Sequence, residues 1–135
     1  MLENQFQTFA ASTPIGHHVT LDLYECQCPV SRLAVESEGR DFLNYLATKF
    51  HPLGLLTHQF EPHGYSGLVL LAESHISIHT WPEKGFVSMD LYTCDGKIPE
   101  EAILDILSFF IPQSIERNDI SRGVSAHKKE MVLEI

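Results

Sequence analysis

The chain has 135 residues, 44% hydrophobic and 20% charged, and nine basic against eighteen acidic side chains give a formal charge of −9 at pH 7. That length suits one core rather than two domains, and the composition belongs to folded globular proteins rather than disordered or fibrous ones. The acidic excess repels a phosphate backbone and an anionic membrane surface alike, which argues against nucleic-acid and membrane partners.

In chain order, the segment from Met1 to Ile15 lacks a basic start followed by an apolar run, and no stretch approaches the ~18 to 20 apolar residues of a membrane span. Val19, Leu21 and Leu23 then alternate with Thr20, Asp22 and Tyr24, a period of two that predicts a half-buried strand. Cys26 and Cys28 follow, and with Cys94 they make an odd number of cysteines. Such a set does not read as the disulfide framework of a secreted domain, so a cytoplasmic protein is expected. From Gly39 to Phe50 the period changes, and Phe42, Leu43, Leu46, Ala47 and Phe50 form one helical face. Three strand-like runs come next, Leu55–Phe60, Gly67–Glu73 and His75–Trp81, and a fourth, Phe86–Thr93, follows the turn at Pro82–Gly85. A second helix starts at Pro99, with Glu100 and Glu101 suited to the positive end of its dipole. Its predicted inner face is Ile103, Leu104, Leu107 and Phe110, and Pro112 stops it. The tail from Ser114 is mixed, with a last strand expected near Met131–Leu133. Strands grouped between segregated helices predict an α+β fold, a layered α/β sandwich with a mainly antiparallel sheet packed against two helices.

The segment Glu73-Ser74-His75-Ile76-Ser77-Ile78-His79-Thr80-Trp81-Pro82-Glu83 gathers hydroxyls, two imidazoles, two carboxylates and the chain's one tryptophan beside a buried-looking strand, Leu68–Ala72. Core packing alone does not call for that mixture. Here the sequence resembles the prokaryotic S-adenosylmethionine decarboxylase proenzymes, pyruvoyl-dependent enzymes of polyamine synthesis. Gly16-His17-His18, Asp22-Leu23-Tyr24, Phe60-Glu61-Pro62-His63-Gly64-Tyr65-Ser66-Gly67, the Glu73–Glu83 block and Thr93-Cys94 carry the resemblance, in the family's order and spacing.

The resemblance implies autocatalytic cleavage between Glu73 and Ser74, giving a β chain of residues 1–73 and an α chain of residues 74–135. The Ser74 hydroxyl attacks the Glu73 carbonyl and shifts the acyl group from nitrogen to oxygen. A base then removes the Ser74 α-proton, the ester leaves as the Glu73 carboxylate, and the remaining dehydroalanine hydrolyses to a pyruvoyl group and ammonia. His79 matches the family's processing histidine, and an imidazole can take and return a proton near neutrality. Ser66 matches the hydroxyl residue that assists it. Cys94 matches the proton donor that quenches the carbanion left when the substrate, bound as a Schiff base to the pyruvoyl, loses carbon dioxide. Phe60 is implied to stack on adenine and Glu83 to accept bonds from ribose hydroxyls. The implied partners are S-adenosylmethionine as substrate and a second copy of the chain, in a homodimer of processed αβ units with active sites near the interface. The product is the aminopropyl donor for spermidine.

Two alternatives stand beside this reading. The same pyruvoyl machinery can serve an L-ornithine or L-arginine decarboxylase, since family members have changed substrate in that way. A non-catalytic or zinc protein is the other, because His75 and His79 share a strand face and His17, His18, His58, His63, Cys26 and Cys28 are further donors; no pair of ligand doublets among them has the usual zinc spacing, so no metal is expected. The chain departs from the family pattern at Asp95, where glycine is usual, and at Tyr65, where a small aliphatic is common. One geometric expectation is independent of the family. Ser74 and His79 have opposite parity on a straight strand, so bringing them together requires a kink at Glu73–Ser74, which would also strain the scissile peptide.

Overall fold

Val19, Leu21 and Leu23, alternate residues in sequence, are all buried, and the strand they belong to, β1, runs over Gly16–Cys26. In the computed structural model, which describes residues 13–94 and 96–124, it is followed by α1 (Ser31–Ala34), α2 (Glu36–Ala47), β2 (Pro52–Gln59), β3 (Tyr65–Leu71), β4 (Ser74–Trp81), β5 (Phe86–Thr93), α3 (Glu100–Phe110) and β6 (Pro112–Arg122). Asp95 and the strand expected near Met131–Leu133 lie outside the described residues. The strands form one antiparallel sheet in the order β2-β3-β4-β5-β1-β6. The layered α+β architecture therefore stands as the sequence predicts.

The first long helix begins three residues earlier than its apolar period suggests. Glu36 and Glu38 occupy its first turn, where their charge suits the helix dipole. It ends at Ala47 because Lys49 and Phe50 donate to carbonyls three residues back, Leu46 and Ala47, the tighter winding with which helices commonly close. Phe42, Leu43, Leu46 and Ala47 are buried, and Phe50 packs at the margin of the core.

The inner face of α3 differs from the predicted one. Ala102, Ile103, Ile106 and Phe110 are buried, whereas Leu104 is 60% exposed and Leu107 is only partly covered. From Ala102 to Phe110 all but Asp105 and Ser108 are apolar, so periodicity cannot choose between Leu104 and Ile106; docking on the sheet does. Phe110 meets Phe42 and Phe109 edge-on at 5.9 and 4.8 Å, and Phe42 stacks on Phe109 at 4.1 Å. Arg32 of α1 donates to the Phe109 carbonyl at 2.9 Å and lies over its ring, tying the two helices together. The helix ends at Ile111, whose φ of 49° is costly for a β-branched residue. Pro112 then opens β6, which pairs with β1 from Gly16↔Arg122 to Cys26↔Pro112.

All three helices lie against one face of the sheet. Leu21, Leu23, Val69, Ile76, Ile78 and Leu91 point into that layer and are essentially inaccessible. Tyr65 joins them: its hydroxyl donates to the Arg32 carbonyl at 2.6 Å, and its ring fills the space over Gly39, where a Cβ would come within 2.2 Å of it. The unusual tyrosine thus serves packing and faces away from its neighbour Ser66. Among the described residues no helix covers the opposite face of the sheet, and Leu56, Leu68, Leu70, Trp81 and Ile120 are exposed there. Among the described residues no helix is long and apolar enough to cross a membrane.

Candidate active site

Ala72 and Glu73 form the two-residue bend joining β3 to β4, and Ser74 is the first residue of β4. Ser74 pairs with Thr93 of β5, so the end of β5 brings Cys94 alongside the turn. The Glu73 carbonyl accepts two hydrogen bonds, from the Cys94 amide at 3.2 Å and from Cys94 Sγ at 2.9 Å. Beside them lies a cavity of about 410 Å³ lined by Lys49, His51, Glu73, Ser74, Thr93 and Lys97 among others. A serine hydroxyl next to a carbonyl held by two donors is an arrangement suited to acyl transfer.

A second group of candidates sits elsewhere. Ser66 of β3 and His79 of β4 are register partners, and Ser66 Oγ lies 2.7 Å from His79 Nδ1. They line a cavity of about 280 Å³ with Phe60, His63, Trp81 and Glu83. Phe60 is 45% exposed and leads a loop pinned by Gln59, whose Nε2 donates to the Ala34 and Gly64 carbonyls at 2.8 and 2.7 Å. Gly64 has φ +99°, a conformation that residues with side chains rarely adopt, and a Cβ there would lie 3.2 Å from the Thr80 carbonyl, so a side chain would be strained. Glu83 lies in the 3₁₀ turn Pro82–Lys84, with Oε2 3.6 Å from His63 Nδ1.

One chain does not unite the two groups. From Ser74 to Trp81, β4 pairs with β5 in unbroken register, so Ser74 shares the parity of buried Ile76 and Ile78, while His79 lies on the opposite, helix-free face. The chain does bend, at Ala72–Glu73, but the bend precedes Ser74 and does not reverse parity beyond it. Five residues of extended strand separate Ser74 from His79 by about 16 Å. Neither Glu73 nor Ser74 lies in the left-handed region: among the described residues other than glycine, positive φ occurs at Glu25 and Ile111.

Sequence reasoning missed a cluster between these groups. Asp90 of β5 accepts from His18 Nε2 at 2.6 Å, from His75 Nε2 at 3.0 Å and from the Ser77 hydroxyl. Burial would raise its pKa, but the bonds from Ser77, His75 and His18 prevail and hold the carboxyl below its ordinary value. Among the described residues, His18, His75 and Asp90 are the set of His, Cys, Asp and Glu close enough to share a cation. Arg122 Nη1, however, lies 2.9 Å from His18 Nδ1. Since arginine only donates, Nδ1 is the acceptor and Nε2 carries the proton, which is the wrong tautomer for ligation through Nε2. Cys26 and Cys28 stand outside the set, and burial pushes the Cys26 thiol up to about 11 and the Cys28 thiol up as well, away from the ligating thiolate. The polar alternation of β4 and β5 hinted at the cluster, but its members are 15 and 72 residues apart.

The chain matches the model of the S-adenosylmethionine decarboxylase family over residues 17–123. It is 40% identical over 114 residues to the S-adenosylmethionine decarboxylase proenzyme of Methanococcus vannielii, covering 82% of this chain and 91% of that protein. With the proenzyme of the same name from Persephonella marina it shares 39% over 125 residues, 89% of this chain and 92% of the other. The crystal structure of the adenosylmethionine decarboxylase from Aquifex aeolicus VF5 superposes with a TM-score of 0.75 at 30% identity, over 89% of this chain and 100% of that one. Sheet and sequence agree, and the chain belongs to the S-adenosylmethionine decarboxylase family.

Proposed function

We propose that the chain decarboxylates S-adenosylmethionine with a pyruvoyl group made from its own Ser74, after cutting itself between Glu73 and Ser74. The observation that carries this reading is the pair of hydrogen bonds from Cys94 to the Glu73 carbonyl, at a bend immediately before a serine. Both donors favour negative charge on that oxygen, where it develops as the Ser74 hydroxyl adds to the carbonyl carbon. The C–N bond breaks, the acyl group passes to the hydroxyl oxygen, loss of the Ser74 α-proton releases Glu73 as a carboxylate, and water hydrolyses the dehydroalanine left at residue 74 to a pyruvoyl group and ammonia. The pyruvoyl group supplies an electron sink for the charge that carbon dioxide leaves behind. Once Glu73 has left, the Cys94 thiol is free of its carbonyl acceptor and stands beside residue 74, where it can return a proton to the substrate.

The Phe60–Glu83 pocket suits a nucleoside. An aromatic ring offers adenine a stacking surface, a carboxylate accepts from ribose hydroxyls, and aromatic faces attract a sulfonium cation. A free basic amino acid such as ornithine uses none of these. The reaction yields the aminopropyl donor for spermidine synthesis and belongs in the cytoplasm.

The active assembly is a homodimer. His79 and Ser66 are about 16 Å of strand from Ser74 in the same chain, and the face that carries them also exposes Leu56, Leu68, Leu70 and Trp81. A second copy seated on that face supplies the hydroxyl–imidazole pair in trans. Co-expression of Ser74→Ala and His79→Ala chains tests cleavage and dimerisation together by intact mass. Each variant alone stays whole, and the mixture yields fragments from the His79→Ala chain only. A wild-type chain that stays at 15.3 kDa refutes the cleavage; cleavage of His79→Ala by itself refutes the role of that imidazole. Carbon dioxide release from labelled S-adenosylmethionine, ornithine and arginine, compared on processed protein, decides the substrate.

A further inference from the structure

His75 immediately follows Ser74 and points to the helix-free face, opposite to Ser74. Its Nε2–H donates to Asp90, and its ring lies parallel to Tyr92, at 5.9 Å and 7°. Asp90 is itself fixed from both sides, by the Ser77 hydroxyl on one oxygen and by His18 on the other. His18 is held in turn by Arg122 and meets Tyr92 edge-on at 5.5 Å. Four strands, β1, β4, β5 and β6, thus converge on the residue next to the cleavage site.

Resting on the reading of a cut at Glu73–Ser74, we propose that Asp90 and His75 form a clamp that positions the new chain end carrying the reactive carbonyl. Before the cut, Ser74 is held through Glu73 and the bend to β3. After it, residue 74 is a chain terminus, and termini fray unless tied down. Backbone pairing continues on one side with β5, at Ser74↔Thr93, and the first side chain behind the terminus able to resist fraying is His75. A displacement of about 1 Å at a reacting centre can cost 10²-fold in rate, so a clamp one residue away acts on turnover. His75 and Asp90 are positioning residues here and need not touch substrate.

The test compares His75→Ala, His75→Gln and Asp90→Ala with the wild type, by intact mass for cleavage and by steady-state carbon dioxide release from S-adenosylmethionine for turnover. Glutamine keeps an N–H near the position of Nε2. The expected result is that all three variants are cut, that His75→Ala and Asp90→Ala lose about 10- to 100-fold in kcat with KM little changed, and that His75→Gln recovers most of the loss. Cleaved His75→Ala turning over at the wild-type rate, or His75→Gln losing as much as His75→Ala, overturns the clamp and leaves the proposed function intact. His75→Ala staying whole while the wild type is cut also overturns it, because the demand then falls on cleavage rather than on the finished enzyme. A wild-type chain that stays whole overturns both.

Discussion

On the helix-covered face of the sheet, Leu21, Ile76, Ile78 and Leu91 are sealed from water, whereas the same strands present His18, His75, Ser77 and Asp90 on the other face, half-exposed and hydrogen-bonded together, with His79 exposed beside Ser66. Period-two alternation makes this division possible, since each strand addresses both faces independently. Stability is concentrated on the covered face, and the open face is free to carry groups that a core would penalise. The Ala72–Glu73 bend belongs to neither face, which lets Ser74 start a strand anchored on one side while its carbonyl neighbour answers to Cys94.

Substitutions that separate stability from chemistry test this division. The largest effect is expected from Phe110→Ala, which empties a fully buried aromatic site and should lower the unfolding free energy by about 3–5 kcal/mol. Urea denaturation reads that loss, while cleavage at a temperature below the transition should continue; a variant that folds stably but fails to cut would join the faces functionally. Tyr65→Phe is a smaller probe. It removes the bond to the Arg32 carbonyl and should cost about 1–2 kcal/mol, without affecting cleavage if Tyr65 belongs wholly to the covered face.

The smallest effect concerns Asp90 and pH. Its folded-state pKa is depressed by Ser77, His75 and His18, so the unfolded chain binds the proton more readily. The resulting stabilisation is complete above the ordinary carboxylate range and is lost as pH falls through Asp90's own, lower value. The stability difference between wild type and Asp90→Asn, followed by urea midpoints, should therefore shrink on acidification, with His18, His75 and Arg122 as the charged or titratable neighbours common to both. A difference that grows toward acid contradicts the direction of the shift.

How much of this was legible depends on where burial imposes a pattern. The strands β1, β3, β4 and β5 announced themselves because one face is buried, β2 through a fainter alternation of half-covered and exposed residues, and the Glu73–Glu83 block located both candidate groups. β6 did not, since it is an edge strand with Glu116, Asn118, Asp119 and Ser121 exposed; without a buried face there is no apolar alternation, and charge on an edge serves to discourage pairing with other molecules. The parity of Ser74 and His79 was readable from their numbers, and it held; the kink invoked to reconcile them within one chain did not. The Asp90 cluster could not be read, because its hydrogen bonds depend on the register between strands far apart in sequence.

The strand order has a mechanical consequence for a molecule severed between residues 73 and 74. Such a break leaves β1, β2 and β3 on one piece and β4, β5 and β6 on the other, yet β3–β4, β5–β1 and β1–β6 are neighbours in the order β2-β3-β4-β5-β1-β6. The pieces are interleaved like clasped fingers, β1 lying between two strands of the opposite fragment. They cannot part by peeling one edge; releasing either one requires breaking three of the sheet's five strand pairings, so the nicked molecule should migrate as a unit until it is denatured.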